Sequence, residues 1–106
     1  MSKKNGILEL VVTGFWFDKI SIGEKKHEYR ECKPYWDRIL SEEYNARHVY
    51  DDRPVSYFYV RFRRGYQKNA PKMLFEIKDI SKVWGKDTDL KVNKYVYDIE
   101  LGERLK

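Results

Sequence analysis

The run Val55-Ser56-Tyr57-Phe58-Tyr59-Val60-Arg61-Phe62-Arg63-Arg64 decides the architecture of this chain. Its side chains alternate in character with a period of two, the repeat of an extended strand. Phe58, Val60 and Phe62 share one face, the expected core face, and Tyr57, Tyr59, Arg61 and Arg63 share the other. A turn over 65–71, bounded by Gly65 and Pro71, leads into a second strand over 73–80. There Met73, Phe75 and Ile77 alternate with Leu74, Glu76 and Lys78. A polar loop over 84–93, with Gly85, Asp87 and Asp89, precedes a last strand over 95–101 that Gly102 is expected to end. These links are too short for crossover helices, so the late strands are expected to pair antiparallel.

Working back from that run, residues 44–54 are polar, contain Asn45, Asp51, Asp52 and Pro54, and read as a connector without regular structure. Before it, Pro34 suits the first position of a helix over 34–43, with Tyr35 and Ile39, and Trp36 and Leu40, as apolar pairs. Residues 7–13 read as a strand rich in branched aliphatic side chains. Thr13 can cap a helix that opens Phe15-Trp16-Phe17-Asp18, with Trp16 and Ile20 on one face. Gly23 stands where a helix C-terminus prefers positive φ, and a strand over 25–31 follows. The order is strand, helix, strand, helix, then three strands. That is an α+β fold, a small curved mixed sheet or partial barrel with helices at one end.

The length of 106 residues suits one domain, spanning 1–106 with its core over about 7–102, and is too short for two cores. Nine Tyr, five Phe and three Trp supply large buried area to a small core and can stack on bases where exposed. A net charge of +5 permits contact with phosphate without requiring it. The single cysteine, Cys32, excludes a disulfide within the chain and fits a reducing, cytoplasmic setting. The start Met1-Ser2-Lys3-Lys4-Asn5-Gly6 is polar, and Glu9 interrupts the first apolar run, so neither a signal segment nor a membrane span is expected. No G-x-S-x-G, phosphate-binding glycine loop or dinucleotide fingerprint is present, and no cofactor is expected. His27, Cys32 and His48 match no usual zinc spacing, so no metal site is expected either.

The chemistry concentrates in Gly23-Glu24-Lys25-Lys26-His27-Glu28-Tyr29-Arg30-Glu31. On an extended segment Lys26, Glu28 and Arg30 point one way and His27, Tyr29 and Glu31 the other. Lys25, Glu28 and Arg30 form a candidate polar cluster at the mouth of a cleft. A partly desolvated lysine near Arg30 would favour its neutral amine, which could act as a base. Glu28 could relay a proton or accept from the exocyclic amine of a base, and Arg30 could clamp a phosphate or carbonyl oxygen. The plain alternative is a solvated ladder of surface ion pairs.

These residues carry a family resemblance. Trp16-Phe17-Asp18-Lys19-Ile20, then Gly23-Glu24-Lys25, then Glu28-Tyr29-Arg30, resemble the signature of ASCH domains: a strand and a helix, then a G-x-K segment entering a strand that ends near an E-x-R or T-x-R pair. Tyr95-Val96-Tyr97-Asp98-Ile99-Glu100-Leu101-Gly102 looks like the family's closing strand, so the resemblance covers about residues 7 to 102. It implies a fold related to the PUA domain, a small β-barrel-like sheet flanked by helices, with a cleft beside the G-x-K segment. It also implies an RNA-binding or nucleotide-related module. Some small bacterial members hydrolyse the amide of an acylated cytidine, and cleavage of RNA has been ascribed to others. The key lysine of the amide hydrolases maps to Lys25. The threonine three residues later is Glu28 here, and the family's glutamate in a helical insertion before the last strand has no counterpart.

The expected partner is therefore RNA or a nucleoside or nucleotide, held by Lys25, Glu28 and Arg30. A second surface is expected on Tyr57, Tyr59, Arg61 and Arg63, where rings could stack on bases and guanidinium groups take phosphates. Arg64, Lys68 and Lys72 extend that charge into the next turn; the alternative is an edge strand kept soluble by arginine. Tyr35 and Trp36 read as core residues of their helix, although one could line the cleft beside Arg30. Trp84 could form a cleft wall. A hydrolase would be marked by a second carboxylate converging on Lys25, for which Glu76 and Glu100 are the candidates.

Overall fold

Apolar alternation builds one sheet of five strands, and the computed structural model describes residues 6–50 and 52–106 of it and its surroundings. The elements are β1 (Ile7–Val12), α1 (Gly14–Ser21), β2 (His27–Glu31), α2 (Pro34–His48), β3 (Tyr59–Arg64), β4 (Lys72–Trp84) and β5 (Tyr95–Arg104), with a 3₁₀ turn at Gly85–Asp87. The first five residues of the polar start and Asp51 of the connector lie outside the described residues. The strand order is β1-β3-β4-β5-β2. As expected for the short links, β3–β4 and β4–β5 pair antiparallel; β2–β5 does too, and β1–β3 is the one parallel pair among the described residues. The fold is α+β, and the mixed sheet curls into a half-barrel.

The inner face follows the alternation. Leu8 and Leu10 of β1 stand beside Val60 and Phe62 of β3, which stand beside Phe75 and Met73 of β4. Ile80, Tyr97, Ile99 and Leu101 continue this core, and Phe17, Ile20 and Leu40 close it from the two helices. Two register shifts between β4 and β5, around Ile77, place an extra residue first on one strand and then on the other. Such bulges bend strands and increase twist, which curls the sheet.

Several elements differ from the sequence reading. Helix α2 runs on to His48, so 44–48 are helical rather than connector. Glu43 and Arg47 form an i,i+4 pair, Tyr44 packs on the core, and Arg47 and His48 sit favourably in the last turn. Strand β3 begins at Tyr59, and Phe58 is half exposed rather than in the core. The Phe58 and Tyr59 amides both donate to the Gly6 carbonyl, which turns the chain before the ladder starts. Gly102 lies inside β5, where its missing side chain admits the Glu76 Cβ; an added Cβ would sit 3.2 Å from it. Strand β2 starts at His27, leaving Lys25 in the turn before it.

Candidate functional site

Helix α1 ends in a way that places Lys25. Gly23 takes φ +84°, and its amide donates to the Ile20 carbonyl while the Glu24 amide donates to the Lys19 carbonyl. This is the paired-bond ending that a left-handed glycine permits. The Lys25 amide also reaches the Lys19 carbonyl, at 3.1 Å. The lysine is thereby folded back against α1, with its ammonium 4.8 Å from the Trp16 ring centre and 4.9 Å from that of Tyr29. Its side chain is only 9% exposed.

Glu28 and Arg30 come from β2. Arg30 donates through Nη2 and Nε to Glu28 Oε2, at 2.7 and 3.1 Å. The other oxygen of Glu28 lies 3.6 Å from Lys25 Nζ. One carboxylate thus stands between the two cations, Lys25 and Arg30. Burial pushes the Glu28 carboxyl above its ordinary pKa, although Arg30 and Lys25 both pull it down; nearby Asp89 adds to the rise. Burial likewise raises Tyr29, with Asp98, Asp89 and Glu28 contributing.

Arg30 has a further task. Strands β1 and β2 are the two ends of the sheet order, and Arg30 Nη2 donates to the Val11 carbonyl of β1 at 3.2 Å. The guanidinium bridges the two open edges of the half-barrel and lies 4.8 Å from the Trp36 ring. Over this seam sits a hollow of about 320 Å³, lined by β1 through Val11 and Val12, by Thr13 and Trp16, by β2 and by Trp36. Trp36 therefore packs on the core and also lines the hollow, while Tyr35 is exposed.

Lys25 has a carboxylate partner that sequence reasoning missed. Asp89, in the loop between β4 and β5, bonds its ammonium directly. The loop is shaped for this. The Gly85 amide donates to the Lys94 carbonyl at 2.7 Å, an approach that leaves no room for a Cβ. Buried Thr88 donates through Oγ1 to the Gly85 carbonyl and accepts from the Leu90 amide, fixing the residues on either side of Asp89. Neither Glu76 nor Glu100, the carboxylates considered for this position, lines this hollow; both line a groove elsewhere, and Glu100 is paired with Lys78. Trp84 does not line the hollow either and packs edge-on against Tyr95. Only the spacing of two acidic residues in a polar loop was visible in the sequence, and that does not reveal a contact across 64 positions.

The second expected surface is spread over different surroundings. Tyr57 precedes β3 and packs partly on the core, and burial raises its hydroxyl pKa. Tyr59 is partly exposed. Arg61 is bonded to Glu9 of β1, and Arg63 turns into the β3–β4 hairpin, where it donates to the Gly65 carbonyl at 3.0 Å. His27 pairs with Asp98 and His48 with Asp79, and Cys32 is partly buried with its thiol pKa raised by burial. Among the described residues, no group of three or more His, Cys, Asp or Glu side chains is arranged to hold a metal. No described helix is long and apolar enough to cross a membrane. No family model, no curated protein and no solved structure matches this chain.

Proposed function

We propose that this chain is an ASCH-type, PUA-like domain that binds RNA or a nucleotide-sized ligand in the hollow over the β1–β2 seam. The observation that carries this reading is the setting of Glu28. It is a nearly buried carboxylate, flanked by a guanidinium and an ammonium, at the edge of a hollow walled by Trp16, Tyr29 and Trp36. A carboxylate of this kind accepts from an exocyclic amine, flat rings stack on a base, and Arg30 offers a fork to a carbonyl or phosphate oxygen. The element order and the place of the G-x-K lysine at the cleft support the family assignment.

Asp89 favours a second reading. Lys25 stands between two carboxylates, the arrangement that would mark hydrolysis of an acylated cytidine, with Asp89 supplied from the segment before the last strand. Glu28, whose carboxylate is made more basic by burial, has the character of a group that takes a proton from water and returns it to a leaving amine. Cleavage of RNA would draw on the same three side chains.

The test is incubation of the protein with a panel of acylated nucleosides and short RNAs, for the wild type and Lys25→Ala. Binding without turnover supports the binding module, and turnover lost in the variant supports the hydrolase. A Lys25→Ala protein that binds and reacts like the wild type removes the hollow from consideration.

A further inference from the structure

Beyond the hollow, the β3–β4 hairpin carries an unusual concentration of charge. From Arg63 to Lys72 the chain has four cations, Arg63, Arg64, Lys68 and Lys72, and no acidic residue. Arg63 is spent on the hairpin itself. Its guanidinium donates to the carbonyls of Gly65, Tyr66 and Gln67, so the tip is held in one shape from inside. The Arg64 amide donates to the Pro71 carbonyl and the Ala70 amide to the Gln67 carbonyl, which closes the turn. On this stiffened tip Tyr66 stands 85% exposed, more than any other large hydrophobic side chain described. Lys68 and Lys72 are exposed and make no ion pair among the described residues, and Arg64 reaches Asp18 only at 3.5 Å.

The hairpin is also continuous with the hollow. The Gly65 amide donates to the carbonyl of Val12, and Val12 and Thr13 line the hollow. Arg64 lies over Gly14, at the start of α1, beside that same wall. A chain leaving the hollow past the end of β1 would meet Arg64 and the hairpin that carries Tyr66, Lys68 and Lys72.

We infer that the hairpin is a binding track for the single strand that continues from the nucleobase held in the hollow, with Tyr66 stacking on a base and Arg64, Lys68 and Lys72 contacting phosphates. The inference rests on the hollow taking a nucleobase, and it makes the ligand a single-stranded oligonucleotide rather than a free nucleotide. Charge complementarity favours a polyanion, and the exposed ring on a hydrogen-bonded turn favours one that carries flat bases. Acidic polypeptides and anionic membranes offer the charge without the bases.

The experiment titrates the protein with a nucleoside and with labelled single-stranded RNA of about ten nucleotides, within the span such tracks cover. The variants are Tyr66→Ala and the triple change Arg64→Ala, Lys68→Ala and Lys72→Ala, which alter only exposed side chains. RNA is expected to bind tighter than the nucleoside. Tyr66→Ala should weaken RNA binding about five- to a hundredfold. The triple variant should make the slope of log affinity against log salt shallower by about 2, for three phosphate contacts. Both variants should bind the nucleoside as the wild type does. Nucleoside binding with no gain for RNA, or RNA binding unmoved by the variants, overturns the track and leaves the hollow standing. Loss of both ligands from the wild type overturns the hollow and the track together. Competition by poly-glutamate or phosphatidylserine vesicles as strong as that by RNA also overturns the track, because charge alone would then suffice.

Discussion

Glu43 and Glu28 are both nearly buried carboxylates beside an arginine, yet they hold very different company. Glu43, on α2, is 1% exposed and accepts from the amides of Ser56 and Tyr57 and from Arg47 Nη1, at 3.1, 3.0 and 2.9 Å. Arg47 in turn donates to the Tyr57 carbonyl at 2.8 Å. The pair clasps the backbone just before β3, with the Glu43 carboxylate shut away from solvent and Arg47 only slightly exposed. Among the described residues, the Glu28 carboxylate has side-chain partners alone, Arg30 and Lys25, and it borders a hollow. A buried ion pair is by itself weak evidence of anything beyond structure. What separates these two is whether the partners are backbone groups fixed by the fold or side chains that a ligand could share.

The largest effect expected from this contrast is on stability. Glu43→Ala leaves the mostly buried Arg47 without its carboxylate and two amides without acceptors, and should cost about 3–5 kcal/mol. Glu28→Ala, whose neighbours border an open hollow, should cost about 1–3 kcal/mol. Urea unfolding of both variants measures the difference, and equal losses would erase the contrast. Next is affinity. Lys25→Ala should weaken binding of a nucleoside or short RNA about ten- to a hundredfold, in line with the loss of a charge-assisted bond, while Arg47→Ala should leave affinity unchanged in whatever fraction folds. Calorimetric titration distinguishes them.

Trp36→Leu sharpens the picture at smaller scale. It removes the ring beside the Arg30 guanidinium, an interaction of about 0.5–2 kcal/mol, and should weaken binding by a few-fold up to about thirtyfold. Fluorescence titration would read it; unchanged affinity would make that ring a packing residue alone. The smallest effect is on pH dependence. Glu28 has a raised pKa when folded, so between its ordinary value and that raised value the folded state holds more protons than the unfolded one. Its ionisation therefore lowers stability as pH rises through that window. Glu28→Gln should lack this component, and Asp98, raised by burial as well, will tilt both proteins alike. Parallel unfolding curves for wild type and variant across the window would show that Glu28 titrates as it does in the unfolded chain.

Much of the fold was readable because it depends on local rules. The two-residue period of 58–62 and 73–77, the glycine at the end of α1 and the short late links led to the right pairing partners. The grouping of Lys25, Glu28 and Arg30 was also readable, since the three lie within six positions of one another. Asp89 was not, because a loop has no period and its contact with Lys25 is set by the folding of Gly85 against Lys94. The Glu43–Arg47 spacing was present in the sequence but outweighed by the polarity of 44–54, which hid a helix whose buried glutamate holds the next segment. Phe58 misled in the opposite direction, since alternation cannot show where a ladder starts.

The bridge from Arg30 to the Val11 carbonyl has a consequence for the two open margins of the sheet. Unpaired strand margins invite a second copy to add itself. Here the two margins of the sheet are turned toward each other and stapled by one side chain rather than by a continuous ladder. The gap that remains is wide enough for a small guest and is walled by aromatic rings on either side. A single incomplete closure thus leaves both margins facing an aromatic-lined seam rather than pointing outward.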